Sequence, residues 1–214
     1  MEELLTTKLY IPATRPELVP RPRLIERLNE GLGQNQGFGR KLTLIAAPAG
    51  FGKTTLMAEW VAGFRLKVES SVNSEQHSAL DFQPVFAWLS LDEGDNDPTR
   101  FLSYFIAALK RIEGIDLPLE KTLSMIQSPQ PRPTETILVS LINEIAAVNA
   151  RIIFVLDDYH LIDAQPIHGA LIFLLENMPP QMHLVIATRE DPQLPLARLR
   201  ALGPWRACRP PWRD

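Results

Sequence analysis

The sequence predicts an α/β fold in which a mainly parallel β-sheet carries helices on both faces. Short apolar runs alternate along the chain with longer segments of helical periodicity, which is the order that a parallel sheet requires. A glycine-rich turn ending in Gly52, Lys53 and Thr54 joins one of these runs to a helix. Another apolar run ends in the acid pair Asp157 and Asp158. Together these features indicate a P-loop NTPase.

Chain length, composition and net charge limit the classes of protein to which the sequence can belong. A chain of 214 residues, 45% hydrophobic and 22% charged, has an ordinary globular composition and is long enough to bury a sizeable core. The net charge of -3 gives no electrostatic case for nucleic-acid binding by the chain as a whole. The apolar runs are too short to span a bilayer, and the acidic start does not resemble a signal peptide. A cytoplasmic location without membrane contact is therefore the default expectation.

Cysteine and histidine usage excludes two further kinds of site. Cys208 is the single cysteine, which rules out an internal disulfide and a cysteine-based zinc site. The histidines lack metal-ligand spacing and are expected at the surface or hydrogen-bonded in the core: His77, His160, His168 and His183.

The first forty residues are predicted as a proline-rich segment and one helix of the same module. Four prolines in IPATRPELVPRPR disfavour a helix before Arg23, so the helix is expected in RLIERLNEGL. The core, residues 41–202, then begins with the buried strand KLTLIAA. A helix from about Lys53 to Gly63 follows. Its apolar residues recur on one face: Leu56, Met57, Trp60 and Val61.

The next segments alternate between strand and helix. The polar stretch KVESSVNSEQHSALDFQ has no sustained period and is predicted as a mobile loop before the strand PVFAWLSLD. A helix then begins with Asp97 as its cap and Pro98 in its first position. After the proline-rich linker SPQPRPTE, ETILVSLINEIAAV is predicted as another amphipathic helix.

The last predicted elements carry the acid pair and an arginine. RIIFVLDD is apolar on both faces and therefore predicted as a buried strand. QPIHGALIFLLENM is a helix that ends before Pro179, and HLVIATRE is the fourth strand. Residues 203–214 hold three prolines and no apolar period, so they are predicted as an irregular tail that does not join the sheet.

The glycine-rich turn matches the phosphate-binding pattern except for Ala47 at its first position. Glycines let the backbone turn its N–H groups inward at a helix N-terminus, which forms an anion site. Lys53 would reach the β- and γ-phosphates, Thr54 would hold Mg²⁺, and Thr55 would bond the α-phosphate. The alternative is a tight strand-to-helix turn without a ligand. The predicted nucleotide-contacting residues of this turn are Ala47, Gly50, Phe51, Gly52, Lys53, Thr54 and Thr55.

The strand ending in two acids predicts the metal side of the same site. Asp157 would bind Mg²⁺ through a water, and Asp158 would polarise the attacking water. Taken alone, both acids could instead cap the following turn. Paired with a phosphate loop about a hundred residues earlier, they favour a catalytic site.

Thr188 and Arg189 end the fourth strand and are expected beside the acids. Arginine donates to phosphate oxygens in a bidentate way, so Arg189 would face a γ-phosphate together with the Thr188 hydroxyl. The alternative is an ion pair of Arg189 at the surface with Glu190 or Asp191.

Five segments resemble one family when taken in order. They resemble the N-terminal ATPase module of the large ATP-dependent LuxR-type transcription activators of the maltose-regulon type, within the STAND class of signalling NTPases. The resemblance covers residues 4 to about 202 and rests on these segments: LLTTKLYIPATRPELVPRPRLIERLNEGL, LTLIAAPAGFGKTTLMAEW, AWLSLDEGDNDPTRFLSYFIAAL, IIFVLDDYHLID and HLVIATREDPQLPLARLRA.

The resemblance implies a switch between ATP-bound and ADP-bound states, with slow hydrolysis. It implies that Val19, Arg21 and Arg23 close over the adenine and that Arg189 acts as a sensor of the γ-phosphate. Lys53 and the acid pair keep the roles given above. The implied partner is the nucleotide; self-association in the ATP state is compatible with the resemblance, whereas specific DNA binding by this chain alone is not expected.

The chain departs from the family at two places. The polar stretch from about 66 to 83 is longer than the family usually has and is interpreted as a surface insertion. The family continues into sensor and helix-turn-helix domains, whereas this sequence ends in GPWRACRPPWRD. The expectation is a truncated or frame-shifted gene product.

Two alternative functions stay open at this point. A free-standing P-loop enzyme, such as a small-molecule kinase, would need an arginine-rich lid after the third strand, and YHLIDAQPIHGALIFLLENMPP contains no arginine. An inert fragment would fold without binding nucleotide. Calorimetry with ATP and ADP separates the inert fragment from the other two.

Overall fold

A computed structural model describes residues 4–14, 19–30, 32–33, 37–72, 83–130, 132–201 and 206–208. Within them lie five β-strands: β1 (Leu42–Ala46), β2 (Pro84–Ser90), β3 (Arg151–Asp157), β4 (Met182–Thr188) and β5 (Arg206–Cys208). The helices are α1 (Pro22–Glu30), α2 (Lys53–Val72), α3 (Pro98–Lys110), α4 (Glu120–Ile126), α5 (Thr134–Ala146), α6 (Gln165–Asn177) and α7 (Leu196–Ala201).

The sheet is parallel throughout and has the strand order β2-β3-β4-β1-β5. Strand β4 is therefore inserted between β1 and β3, although it is the last of the three in the sequence. The carboxyl ends of parallel strands lie at one edge, so the turns after β1, β3 and β4 become neighbours. This order confirms the predicted α/β fold and brings the separate motifs of the sequence to one place.

Two apolar layers cover the sheet because consecutive strand residues point to opposite faces. On one face Leu44 and Phe154 pack with helices α3, α5 and α6, and the rings of Phe105 and Phe154 stack at 3.9 Å. On the other face Val155 packs with α1 and α2, including the buried Trp60. Helices on both faces explain why β3 and β4 are buried at every position, as the apolar run RIIFVLDD predicts.

The start of α3 follows the predicted capping chemistry. The Asp97 carboxylate accepts a hydrogen bond from the Arg100 amide at 2.8 Å, and Pro98 occupies the first turn. This cap satisfies one of the amides that a helix N-terminus leaves without a partner. Among the helices of the described chain, none combines the length and the apolar character needed to cross a bilayer.

Helix α2 differs from its prediction, because it continues past Gly63 to Val72. The predicted loop over 66–83 is therefore helical for its first seven residues, while residues 73–82 lie outside the described ranges. A glycine inside a helix costs only about 1 kcal/mol relative to alanine. The leucine, lysine and glutamate that follow Gly63 are good helix formers, so the helix propagates. Helix α4 lies in a segment for which no element is predicted.

The prediction of an irregular tail over 203–214 does not hold for Arg206–Cys208. These residues form β5 and pair in parallel with β1, with Thr43 opposite Arg206 and Ile45 opposite Cys208. The pairing satisfies backbone groups along the edge of β1, which needs no apolar periodicity. Trp205 and Trp212 lie outside the described residues. The division of the chain at residues 40 and 202 stays a prediction.

Candidate functional site

The turn between β1 and α2 has the backbone of an anion-binding loop. Gly50 and Gly52 have φ of +81° and +70°, a left-handed conformation that glycine adopts without a steric penalty. The Ala47 amide continues the sheet by donating to the Thr188 carbonyl at 3.1 Å. Because Ala47 is buried against the sheet, a small side chain suffices at a position where the motif has glycine.

Lys53, the first residue of α2, is folded back onto this loop. Its ammonium donates to the carbonyl of Ala47 at 2.8 Å and to that of Pro48 at 3.3 Å, and the residue is 8% exposed. Burial lowers the pKa of Lys53, and the charges of Asp158 and Asp157 partly oppose this shift. The lysine thus carries a charge held by two neutral carbonyls, and an anionic phosphate would pair with it more strongly.

The hydroxyl of Thr54 donates to the Asp157 carboxylate at 2.7 Å. This bond joins the first turn of α2 to the end of β3, although the two residues are 103 positions apart. Asp157 is 2% exposed, and burial raises its pKa to about 6 despite the Thr54 bond. A hydroxyl and a carboxylate oxygen in contact form the type of oxygen pair that Mg²⁺ prefers.

A metal ion would need the phosphate as well as the protein at this position. Within the described ranges, no group of three or more His, Cys, Asp and Glu side chains is placed to hold a metal ion. Mg²⁺ keeps several waters and is usually bound by one or two protein groups together with phosphate oxygens. Thr54 and Asp157 therefore fit a nucleotide-bound Mg²⁺ rather than a metal site built from protein alone.

Asp158 differs from Asp157 in its exposure to solvent and in its backbone conformation. Its side chain is 41% exposed and its backbone lies in the left-handed region, with φ 57° and ψ 37°. Its amide donates to the Asp157 carboxylate at 3.0 Å. A non-glycine residue in this conformation stores strain of about 1–3 kcal/mol and is typical of functional sites.

The end of β4 completes the site with an arginine. Arg189 is exposed, and burial first and then its positive charge lower the pKa of His160, while the pKa of Lys53 is lowered mainly by burial with a smaller effect of Arg189. The Thr188 side chain is fully buried and its hydroxyl donates to the Glu190 carbonyl at 2.8 Å. This hydroxyl is thus engaged in its own turn, and its predicted contact with a γ-phosphate stays a prediction.

The N-terminal segment lies over the turn between β1 and α2, which is the predicted phosphate loop. The Arg21 guanidinium donates to the Phe51 carbonyl at 2.9 Å and to the Gly52 carbonyl at 3.4 Å. An open groove of about 600 Å³ runs along this contact. Val19 is 77% exposed and lies outside its lining. The groove is lined by Pro20, Arg21, Pro22, Arg23, Leu24, Gly50 and Phe51.

His160 is a site residue that the sequence reasoning missed. Its side chain is 8% exposed, its Nδ1 lies 3.8 Å from the Asp158 carboxylate, and neither ring nitrogen has a hydrogen-bond partner among the described residues. Burial and then the charge of Arg189 lower its pKa, so the ring is neutral at pH 7. The signal was its place two residues after the acid pair, although a histidine at the surface or hydrogen-bonded in the core was expected.

The other described histidines are structural, as expected. His183 is fully buried, contacts the Thr43 hydroxyl at 2.9 Å and donates from Nδ1 to the Arg40 carbonyl at 2.7 Å. The Nδ1 atom of His168 is hydrogen-bonded to the Tyr159 hydroxyl at 2.6 Å inside the core. His77 lies outside the described residues.

Comparison with known proteins supports the family resemblance that the sequence shows. The HTH-type transcriptional regulator MalT of Klebsiella pneumoniae is 36% identical over 197 residues, which cover 92% of this chain and 19% of that protein. MalT of Cronobacter sakazakii matches to the same extent. The chain is a relative of the MalT-type regulators. The resemblance found in the sequence is thereby confirmed, and the chain spans about a fifth of the length of these curated relatives. No protein-family model matches the chain.

Solved structures support the fold. Cdc6p of Pyrobaculum aerophilum has a TM-score of 0.53 at 17% identity, covering 94% of this chain and 46% of its own. ORC1 of Aeropyrum pernix has a TM-score of 0.55 at 18% identity, covering 91% of this chain and 45% of its own. The ORC2 protein of the same organism, solved as ADPNP–ADP complexes, has a TM-score of 0.51. These similarities show that the fold is that of a P-loop NTPase.

Proposed function

We propose that the chain is the nucleotide switch of a MalT-type regulator, which binds ATP and ADP with Mg²⁺ and hydrolyses ATP slowly. The observation that carries this proposal is the bond between the Thr54 hydroxyl and the Asp157 carboxylate at 2.7 Å. It joins the phosphate loop to the acidic strand at the point where a nucleotide-bound metal ion would be held. The similarity to MalT and to a fold solved with ADPNP and ADP supports it.

Each binding residue has a defined task in this proposal. Lys53 leaves the carbonyls of Ala47 and Pro48 and pairs with the β- and γ-phosphates. Thr54 and Asp157 hold Mg²⁺, which when bound neutralises phosphate charge. Arg21 moves from the phosphate loop towards the base, and Thr55 bonds the α-phosphate.

Hydrolysis needs a second set of residues beside the first. The Asp158 side chain is 41% exposed, its charge acts on Lys53, and it is free of the Thr54 bond that occupies Asp157, so it orients the attacking water. The neutral His160 ring is 8% exposed, its Nδ1 lies 3.8 Å from the Asp158 carboxylate, and it acts together with Asp158 on the attacking water. Arg189 stabilises the charge on the γ-phosphate. The backbone of Asp158 is strained and its side chain is partly exposed to solvent. Both features fit slow hydrolysis of ATP.

Replacement of Lys53 tests nucleotide binding. Lys53→Ala is expected to weaken ATP and ADP binding by about 1.5–3 kcal/mol, or roughly 10- to 150-fold, because a charge-assisted contact to phosphate is lost. Calorimetry measures both affinities, and Lys121→Ala on the exposed face of α4 serves as the matched control. Equal affinities in the wild type and the Lys53 variant would overturn the assignment of the phosphate loop.

Replacement of Asp158 and His160 tests hydrolysis separately from binding. Asp158→Asn and His160→Ala are each expected to slow ATP hydrolysis by about 10²-fold or more while ADP affinity is retained, because both act on the attacking water. Phosphate release under single-turnover conditions measures the rate. If Asp158→Asn hydrolyses ATP as fast as the wild type, the roles of the two acids are wrong or reversed.

A further inference from the structure

Asn96 lies in the loop after β2 and binds a different loop with both ends of its amide. Its Nδ2 donates to the Leu161 carbonyl at 2.8 Å and to the Glu93 carbonyl at 3.0 Å. Its Oδ1 accepts from the amides of Asp163 at 2.8 Å and Ala164 at 3.0 Å. Two donors and two acceptor positions are all that an asparagine side chain offers. Every one is used, and three of the four bonds reach the segment that follows Asp158.

Two hydrogen bonds connect Asn96 to the backbone of Asp158. The Leu161 carbonyl accepts from Asn96, and the Leu161 amide donates to the Asp158 carbonyl at 3.1 Å. Asp158 has the left-handed φ of 57°. A strained residue keeps such a conformation only where its surroundings hold it firmly. Asn96 lies in a different loop, and its side chain holds the turn Tyr159–Leu161 at the Leu161 end.

The loop that carries Asn96 is itself anchored. The Lys8 ammonium binds Asp95, which is fully buried, and Asp92 at 3.0 Å. It also lies 4.5 Å from the centre of the Tyr104 ring on α3. These contacts anchor the loop of residues 92–97 independently of its bonds to the Asp158 segment.

The same amide completes the start of α6. The residue before this helix is Ala164, which has no side-chain oxygen with which to cap it. The Asp163 and Ala164 amides donate instead to Asn96. The segment 158–164 is thus held by Asn96 at Leu161 and again where it enters α6.

We propose that Asn96 is a positioning residue for ATP hydrolysis: it holds the segment 158–164 so that Asp158 and His160 face the γ-phosphate. This inference rests on the proposed function. Asn96 touches neither nucleotide nor metal in this proposal, so its removal changes the rate of hydrolysis and leaves affinity almost unchanged. Asn96 lies in one of the segments that carry the family resemblance, but neither the phosphate-loop pattern nor the acid pair includes it.

The first test separates rate from affinity. Asn96→Ala is expected to slow single-turnover ATP hydrolysis by roughly tenfold to a hundredfold, because small misplacements of catalytic groups are costly. Its ATP and ADP affinities are expected to stay within about threefold of the wild type, since the phosphate loop is intact. Asn177→Ala at the other end of α6, where the amide donates only to the Phe173 carbonyl, is the matched control and is expected to match the wild type.

The second test needs no nucleotide. Amide hydrogen exchange of the free protein is expected to be at least about tenfold faster at Leu161, Asp163 and Ala164 in Asn96→Ala, with β3 and β4 unchanged. Asn96→Asp keeps an acceptor for Asp163 and Ala164 but loses the donor to Leu161. In this variant the Leu161 amide is expected to exchange faster, while the other two stay protected and hydrolysis is still slowed.

The outcomes distinguish this inference from the proposed function. Wild-type hydrolysis and exchange at Leu161 in both Asn96 variants would overturn the positioning role. An equal loss of affinity and rate would also overturn it, because the residue would then support the whole site. Absence of nucleotide binding in the wild type would refute the proposed function, and exchange at Leu161 would still show whether Asn96 holds the segment.

Discussion

Asp157 and Asp158 are adjacent in sequence, yet they have opposite environments. The Asp157 carboxylate is buried, accepts from Thr54 and has its pKa raised to about 6, whereas that of Asp158 is exposed. Successive residues at the end of a strand point to opposite sides, and Asp158 has the left-handed φ of 57°. Neighbouring acids in different environments take different chemical roles.

The raised pKa of Asp157 predicts a pH dependence of stability in the nucleotide-free protein. The folded state binds a proton more tightly than the unfolded state, where the pKa is 3.8. Folding is therefore favoured by protonation below about pH 4, and this contribution is lost as pH rises through about 6. Asp157→Asn is expected to be more stable than the wild type above pH 6, by an amount on the order of 1–3 kcal/mol, and similar to it near pH 4.

Urea denaturation of both proteins from pH 4 to pH 8, without Mg²⁺ or nucleotide, measures this difference. Thr54→Val, which removes the hydrogen bond but keeps the carboxylate, provides the control in which the pH dependence persists. A stability difference between Asp157→Asn and the wild type that does not change with pH would show that Asp157 is not titrating in this range.

At the scale of elements, two glycines close together in sequence serve different purposes. Gly52 ends the phosphate loop with φ of +70°, and a Cβ added there would lie 2.9 Å from an Arg21 nitrogen. Gly63 lies inside α2, and a Cβ there would meet nothing within 4 Å. The first position therefore requires glycine, whereas the second only tolerates it.

Alanine at these two positions is expected to change stability in opposite directions. Gly52→Ala should destabilise the protein by about 1 kcal/mol or more and weaken nucleotide binding, because it strains the loop and displaces Arg21. Gly63→Ala should stabilise α2 by about 0.5–1 kcal/mol without affecting binding. Thermal unfolding and calorimetry measure both effects. Loss of stability in Gly63→Ala would show that helix α2 does not run through this residue.

At the scale of the whole molecule, the order of the strands creates the site. Because β4 lies between β1 and β3, the phosphate loop, the acid pair and Arg189 meet at one edge of the sheet. Ligands of open α/β sheets bind at this edge, outside the carboxyl ends of the strands. The candidate nucleotide site lies at this edge, and the net charge of -3 offers little attraction for nucleic acid.

This charge balance predicts that the chain alone does not bind DNA specifically. Basic clusters such as RPRLIER could retain DNA weakly, and that retention should disappear with salt. A gel-shift titration near physiological ionic strength, with and without ATP, measures the effect. A sequence-dependent shift that survives added salt would place a DNA-binding function within this chain.

Local chemistry in the sequence was enough to predict most of the elements and most of the candidate site. The glycine turn, the acids after an apolar run and the Asp97–Pro98 cap are short-range signals, and the structure places each of them as predicted. Short-range signals fail where the propagation of a helix determines how far that helix extends. Helix α2 passes Gly63 because adding a turn to an existing helix costs little, and no local residue marks its end.

Tertiary structure decided the contacts between segments that are distant in sequence. Arg206–Cys208 become a strand because β1 offers an edge, although their own pattern predicts none. His160 enters the candidate site because the turn after β3 places it beside Asp158, and Asn96 contacts the same turn because the loop after β2 is folded against the loop after β3. The sequence by itself indicated the candidate residues for phosphate binding, since that indication depends on side-chain chemistry and on glycine. The contacts between loops were decided only by the fold, because a hydrogen bond between two loops leaves no pattern within either loop.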